Sequence, residues 1–154
     1  DLYYNVPADE LMEIMENAIN NNYSIAWDGD VSEKEFSHKK GIAIVPAKDW
    51  DEKTEAEKQN TGKKPEPEKD VTQELRQKTF ENKTTTDDHL MHITGMSEDK
   101  NGTRYFITKN SWGAKSNAMG GYLHMSYNYV KLKTIGILVH KDAIPKKIAK
   151  KLFK

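Results

Sequence analysis

The sequence predicts an α+β domain in which a leading helix precedes a sheet-rich second half. Three observations indicate this: a helical apolar period near the start, four β-type runs separated by turn residues after residue 88, and a second helical period at the end. The chain has 154 residues, which suits one domain and is long enough to bury a core. We therefore treat residues 1–154 as one domain.

The leading helix is predicted over residues 7–21. Leu11, Ile14 and Ala18 recur there at helical spacing, so they lie on one face of a helix. Pro7 suits the first helical turn, where its missing N–H costs no hydrogen bond. This segment should pack its apolar face against the sheet.

The second half carries the strand and turn signals. Asp99-Lys100-Asn101-Gly102 is a strong hairpin signal, because Asn-Gly suits the positive φ of a tight turn. Ile144, Ile148 and Leu152 recur every four residues, which predicts a terminal amphipathic helix. The predicted strands are residues 23–28, 41–45, 89–96, 103–109, 121–125 and 134–140. The last four of them should form an antiparallel sheet.

Residues 48–70 interrupt this pattern with a charged segment. Between residues 48 and 78, 17 of 31 positions are charged, and the only large apolar side chains are Trp50, Val71 and Leu75. Such a stretch is not expected to form core, because ordering it costs more entropy than its few apolar groups offset. We expect a mobile, exposed insertion at 48–70, followed by a short helix over 72–80.

Composition excludes several classes of function. The chain has 24 basic and 24 acidic residues, so it has no net positive charge that would attract nucleic acid. Its apolar runs are too short to span a bilayer. The chain has no cysteine, which excludes disulfides, thiolate metal sites and a thiol nucleophile from this chain.

The histidines do not form a metal motif. His89 and His92 are three positions apart, and on a strand such positions point to opposite faces of the sheet. Their imidazoles would therefore not converge on one ion, and we predict no metal site. We expect His92 to be a packing or surface residue.

A second pairing is chemically more informative. His89 begins the run before the Asn-Gly turn, and Asn110 follows the run after it, so a hairpin would bring the two side chains together. An imidazole held through one nitrogen by an amide oxygen is the arrangement that activates a nucleophile. On spacing alone, a structural histidine remains the usual alternative.

Seven short segments carry a family pattern, four of them in the second half of the chain and three upstream. The segments in the second half are DHLM at 88–91, ITG at 93–95, YFITKNSWG at 105–113 and GGYLHM at 120–125. The upstream segments are YNVP at 4–7, WDGDV at 27–31 and KGIA at 40–43. The former resemble the C-terminal half of papain-like cysteine peptidases, and the latter resemble the bleomycin hydrolase and aminopeptidase C branch. The Asn-Ser-Trp-Gly block is the most specific of these matches.

The resemblance implies a fold and a set of roles. The fold would be the sheet-rich, antiparallel and barrel-like right-hand lobe of a papain-like peptidase, with the leading helix, the charged insertion and the terminal helix described above. His89 would be the catalytic imidazole and Asn110 would orient it. Trp112 would shield that pair from water, a role compatible with packing in the core.

The resemblance also implies partners. The catalytic cysteine would lie in a missing N-terminal half, so this chain alone should be inactive. Substrates would be peptides. Because members of this branch assemble into hexamers, the resemblance also implies a homo-oligomer. The resemblance implies no metal and no organic cofactor. No nucleic acid and no membrane-spanning segment are expected.

Some alternatives stay open at this point. The exopeptidases of this family end in a tail that enters the cleft, whereas this sequence stops at Lys154, soon after the predicted helix. An endopeptidase of the same family is therefore an alternative to an aminopeptidase, and a non-catalytic binding or structural relic of the fold is another. The compartment is open between the cytoplasm and, if a leader was lost upstream, the periplasm or the exterior.

Overall fold

The computed structural model describes residues 3–153, so Asp1, Leu2 and Lys154 of the predicted domain lie outside the described residues. The first helix forms where its apolar period predicts it: α1 spans Ala8–Asn20 and directs its apolar face into the core. Asp9 and Glu10 lie in its first turn, where negative charge is favourable against the helix dipole. Pro7 precedes the first helical residue.

Seven strands form one sheet in the spatial order β2-β3-β6-β5-β4-β1-β7. All neighbouring pairs are antiparallel except β3 and β6, which are parallel. The strands are β1 Ile25–Gly29, β2 Phe36–Ser37, β3 Ile42–Ala43, β4 His89–Glu98, β5 Arg104–Lys109, β6 Tyr122–Ser126 and β7 Thr134–Leu138. With its flanking helices the sheet forms an α+β half-barrel.

Side-chain alternation explains which face of the sheet is buried. In β4, Met91 and Ile93 are buried while Leu90 and His92 are exposed, so successive residues point to opposite faces. The β4–β5 hairpin closes at the predicted turn, where Gly102 adopts a φ of 82° and its N–H donates to the carbonyl of Asp99. The hairpin prediction is thus confirmed.

The remaining helices are short. They are α2 Glu55–Asn60, α3 Gln73–Glu81, α4 Tyr127–Lys133 and α5 Lys146–Leu152. The expected helix over 72–80 is α3, with Thr72 as its N-cap residue. The terminal helix starts later than its apolar period indicates, because Pro145 immediately precedes it and leaves Ile144 outside.

Helix α4 has no counterpart among the predicted elements. It begins directly after β6, where the hydroxyl of Ser126 accepts a hydrogen bond from the N–H of Tyr129 at 3.0 Å. Tyr129, Val130 and Leu132 are buried against the rest of the core. Seven residues make a marginal helix in isolation, so tertiary packing stabilises this one.

Residues 48–70 contain more structure than their composition indicates. A 3₁₀ turn at Trp50–Glu52 and helix α2 both carry capping boxes. Lys53 is buried and pairs with Glu66 at 2.8 Å. Glu68 of this segment also forms an isolated antiparallel bridge with Pro46. The mobility of the segment stays a prediction.

Val71 corrects one sequence-based expectation. The composition of residues 48–78 predicts that none of them joins the core, yet Val71 is 1% exposed and belongs to the main apolar cluster. That cluster joins α1, the sheet and α4 around the fully buried indole of Trp27, whose N–H donates to Thr134 at 2.7 Å. Within residues 3–153, every helix is too short or too polar to cross a membrane.

Candidate active site

His89 and Asn110 meet at one end of the β4–β5 hairpin. His89 is the first residue of β4 and Asn110 follows the last residue of β5, and the register pairs His92 with Lys109 between them. The Nε2 atom of His89 lies 2.9 Å from Oδ1 of Asn110. The sequence-based expectation that these two side chains approach each other agrees with this contact.

Backbone groups fix which way the Asn110 amide points. The N–H of Ser111 donates to Oδ1 of Asn110 at 2.7 Å, and only an oxygen can accept there. Oδ1 therefore also accepts the Nε2–H of His89. The main-chain N–H of Asn110 donates to the carbonyl of Gly121, whose φ of 81° is one that favours glycine. Asn110 is 1% exposed, so water does not compete for these bonds.

A second histidine contacts the other end of the same amide. The Nδ2 atom of Asn110 lies 3.3 Å from Nδ1 of His38, a buried residue just after β2. Asn110 thus bonds to both His38 and His89, an arrangement consistent with a catalytic His/Asn pair. Nε2 of His38 lies 2.6 Å from the hydroxyl of Ser116. Burial, with the charges of Lys109 and His89, holds the pKa of His38 below its ordinary value.

Trp112 lies over both imidazoles. Its ring centroid is 4.8 Å from that of His38, in an edge contact, and 5.1 Å from that of His89. The indole is 52% exposed, so it covers the histidines from the solvent side and is not a core residue. The phenyl ring of Phe36 supports it from β2, at a centroid distance of 6.3 Å.

His89 lines an open cleft of about 420 Å³ with an acidic wall. The wall residues are Asp28, Asp87 and Asp88, with Leu90 and Ser111 completing the cleft. Burial, reinforced by the neighbouring charge of Asp87, raises the pKa of Asp28 above its ordinary value. His92 is exposed on the opposite face of β4 and takes no part in this cleft.

A buried ion pair fixes the loop that leads from β1 past this cleft. Asp30 is fully buried and pairs with Lys133 at 3.2 Å, while Lys133 also contacts Glu33 and the carbonyl of Thr84. Burial alone would raise the pKa of Asp30, but hydrogen bonds from Ser32 and the charge of Lys133 lower it overall.

A family model described as the Peptidase C1-like family matches residues 1–154, the entire chain. The chain belongs to this family. The C1-like family comprises cysteine peptidases, and this chain contains no cysteine. The family resemblance drawn from the Asn-Ser-Trp-Gly block and its neighbours is therefore confirmed.

Two individual proteins illustrate this membership. Aminopeptidase G of Lactobacillus delbrueckii subsp. lactis is 38% identical over 58 residues, which are 38% of this chain and 13% of that protein. The crystal structure of PepW from Lactobacillus rhamnosis HN001 matches with a TM-score of 0.63 and 16% identity, over 94% of this chain and 29% of that one. The peptidase-lobe fold is thus confirmed, and the matched regions make up less than a third of either relative.

Sequence reasoning missed His38. It lies 72 positions before Asn110 in the chain, in a turn between two strands of two residues each. No motif or spacing links it to the hairpin. Only the parallel pairing of β3 with β6 brings this turn beside the end of β5, and such a pairing leaves no local sequence signal.

Proposed function

We propose that this chain supplies the catalytic histidine, His89, and the orienting asparagine, Asn110, of a cysteine peptidase whose nucleophile lies in a separate N-terminal half. The observation that carries the proposal is the 2.9 Å contact between Nε2 of His89 and Oδ1 of Asn110 beside an open cleft. Among residues 3–153, nothing forms a hydrogen bond with Nδ1 of His89, so that nitrogen can face a nucleophile from the other half.

His89 would move the protons of the reaction. Its Nδ1 accepts the proton of the cysteine thiol, and the resulting thiolate attacks the carbonyl carbon of the scissile peptide bond. The C–N bond breaks as His89 returns that proton to the leaving amine, which leaves a thioester on the cysteine. His89 then takes a proton from water, the hydroxide attacks the thioester, and the C–S bond breaks to release the acid.

Asn110 and Trp112 would support these steps without exchanging protons. Asn110 holds the imidazole so that Nδ1 points to the thiolate. The hydrogen bond from Nε2–H of His89 to Oδ1 of Asn110 strengthens when His89 is positively charged. Trp112, which covers the imidazole from the solvent side, would keep water from competing for the thiolate–imidazolium pair. A low local dielectric strengthens such a pair.

His38 is the second candidate for the catalytic imidazole, and its hydrogen bonds argue against it. Both of its ring nitrogens already have partners, Asn110 and Ser116, and the ring is buried. A general base needs one free nitrogen within reach of the proton that it accepts. His89 meets that requirement and His38 does not.

An aminopeptidase is the activity that we favour. The partial similarity to aminopeptidase G supports it, as does the resemblance to the aminopeptidase C and bleomycin hydrolase branch. The acidic wall of the cleft, formed by Asp28, Asp87 and Asp88, is compatible with a cationic group of the substrate. An endopeptidase of the same family stays the alternative.

The test compares this chain alone with the enzyme formed when it is joined to the cysteine-bearing half. Alone, the chain should hydrolyse no aminoacyl reporter, because it has no nucleophile. The joined enzyme should hydrolyse the reporter and lose activity with a thiol-alkylating inhibitor. Turnover by the chain alone, unchanged by that inhibitor, would overturn the proposal, and a joined, folded but inactive protein would favour the relic.

A matched pair of peptides separates the two peptidase activities. One peptide has a free N-terminus and the other carries an N-acetyl group on the same sequence. An aminopeptidase releases single residues from the free peptide and leaves the acetylated one intact. Internal cleavage of both peptides would instead establish the endopeptidase.

A further inference from the structure

His38 is the buried polar residue that the proposed reaction leaves without a role. Its side chain bridges two parts of the molecule: Nδ1 contacts Asn110 at 3.3 Å, and Nε2 contacts Ser116 at 2.6 Å. Its main-chain carbonyl accepts a hydrogen bond from the side-chain amide of Asn117 at 2.8 Å. The turn after β2 is thus attached to Asn110 and to the loop that carries Trp112.

We propose that His38 is a positioning residue that holds the side-chain amide of Asn110 in the orientation in which its oxygen faces His89. This inference rests on the proposed function for its catalytic consequence, but the hydrogen-bonded arrangement is a property of this chain alone. A residue of this kind acts through Asn110 and touches neither the substrate nor the cysteine.

The hydrogen bonds determine the tautomer of His38. The hydroxyl of Ser116 has one proton, which it donates to the carbonyl of Gly113 at 2.5 Å, so it accepts the Nε2–H of His38. At the other side, Nδ2 of Asn110 is a donor, because Oδ1 accepts from Ser111. Nδ1 of His38 therefore accepts, and the ring is neutral with its proton on Nε2.

A neutral ring is required for this role. If Nδ1 of His38 were protonated, two donors would face each other, and a rotation of the Asn110 amide would turn its nitrogen towards His89. Burial lowers the pKa of His38, and so does positive charge facing the ring, from Lys109 of β5 and from the protonated form of His89 of β4. The surroundings therefore favour the form that the geometry needs.

Trp112 links the same two histidines through packing. The indole contacts the edge of the His38 ring and lies tilted over that of His89. Loss of the His38 ring would therefore remove both the hydrogen bond to the Asn110 side-chain amide and the packing contact with the indole of Trp112. A variant that keeps the ring volume but not the nitrogens separates these two effects.

The first test is kinetic and uses the joined enzyme. His38→Phe keeps the ring volume and removes both hydrogen bonds, and we expect kcat to fall about tenfold, as for loss of one orienting hydrogen bond, with KM nearly unchanged. His38→Asn keeps an acceptor near the position of Nδ1 and should recover most of the rate. His38→Gln keeps only the group near Nε2 and should not. His92→Phe is the matched control on the exposed face.

A double-mutant cycle tests whether His38 acts through Asn110. In an Asn110→Ala background, His38→Phe should lower kcat no further, because the amide that His38 positions is already absent. A full additional tenfold loss in that background would overturn the inference. A loss in His38→Phe as complete as that in His89→Ala, without recovery in His38→Asn, would also overturn it and make His38 the catalytic imidazole.

The second test uses this 154-residue chain and no activity. Long-range ¹⁵N–¹H correlation spectra report which ring nitrogen of each histidine carries a proton. We expect His38 to be neutral at pH 7 with its proton on Nε2. A proton on Nδ1 would overturn the inference even if the enzyme works, whereas full activity in His89→Ala would defeat the proposed function and leave this arrangement standing.

Discussion

The hairpin end that carries His89 and the charged segment 48–70 are both rich in polar side chains, but they hold them differently. At the hairpin end, the polar groups of Asn110 and His38 bond partners distant in the chain, and both residues are buried. In the segment 48–70, every ion pair except Lys53–Glu66 has at least one exposed side chain, as in the pair of Lys48 and Glu57 at 2.9 Å.

Composition alone does not determine how firmly polar residues are held. A hydrogen bond between buried groups from distant elements is lost only if the fold opens, whereas an exposed ion pair is weakened by water and by salt. Lys53 is the exception within 48–70, since its ammonium is buried against Glu66 and Thr61.

The largest effect is expected at His89. In the joined enzyme, His89→Ala should lower turnover by about two to four decades, the usual contribution of an acid–base group. Asn110→Ala should cost about one to two decades, because the imidazole remains but is no longer held. His92→Ala should stay near the parent rate.

Steady-state kinetics, with folding checked by circular dichroism, would measure these three effects. An active His89→Ala beside an inactive but folded His92→Ala would place the catalytic imidazole on the other face of β4.

The next largest expected effect is on the stability of the fold, and it compares a buried lysine with an exposed one. Lys133→Met leaves the fully buried Asp30 without its cation and should destabilise the fold by about 3–5 kcal/mol. Lys48→Met removes an exposed ion pair and should change stability by about 0.5 kcal/mol or less. Urea denaturation of the two variants measures both values, and equal losses would remove the contrast between the regions.

Two carboxyl groups extend this contrast to pH. Hydrogen bonds and Lys133 lower the pKa of Asp30 against the opposing effect of burial, so its contribution to stability is present above its unfolded pKa and is lost as the pH falls through the folded one. Burial raises the pKa of the Glu68 carboxyl in the folded state. The folded state therefore loses stability as the pH rises from the ordinary pKa of a glutamate to this raised pKa.

The corresponding variants should shift Tm in opposite directions at pH 7. Asp30→Asn should lower Tm, since it removes the charge that pairs with Lys133. Glu68→Gln should raise it slightly, because an amide oxygen still accepts from the N–H of Val45 and the hydroxyl of Ser126 without a buried charge. Thermal unfolding from pH 4 to pH 8 checks both signs, and a Glu68→Gln variant that is less stable than the parent at pH 7 would contradict this reasoning.

The smallest expected effect concerns mobility. We expect the amides of 48–70 to exchange with deuterium faster than those of β4 and β5, whose strands lie inside the sheet. Hydrogen exchange with mass spectrometry measures this on the chain as it is. Protection across 48–70 equal to that of the hairpin would show that the capping boxes and the Lys53–Glu66 pair hold the segment as firmly as the sheet holds its strands.

Regular patterns made much of the fold predictable. The alternation in β4, the Asn-Gly turn and the apolar period of α1 each specify local structure, and the structure follows them closely. Helix α4 was missed because its aromatic and β-branched residues carry weak helix propensity, and packing decides its form. Val71 was misjudged because one buried apolar residue can follow a long polar stretch.

The site was partly predictable for the same reason. The pairing of His89 with Asn110 follows from a hairpin, in which the register connects distant positions through a local turn. The contact between Asn110 and His38 depends on β3 lying beside β6, two strands joined by no local turn. Long-range pairing of this kind is decided by the whole fold, so no single segment of sequence encodes it.

The ion pair that we propose between His89 and a cysteine of the joined enzyme should determine how the rate of cysteine alkylation depends on pH. With iodoacetamide, the parent enzyme should react rapidly well below pH 8.5, about the ordinary pKa of a thiol, because an imidazolium stabilises the thiolate. In His89→Ala the rate should rise only near that ordinary pKa, while His38→Phe should keep fast alkylation at low pH. An unchanged profile in His89→Ala, with fast low-pH alkylation lost in His38→Phe, would contradict the account.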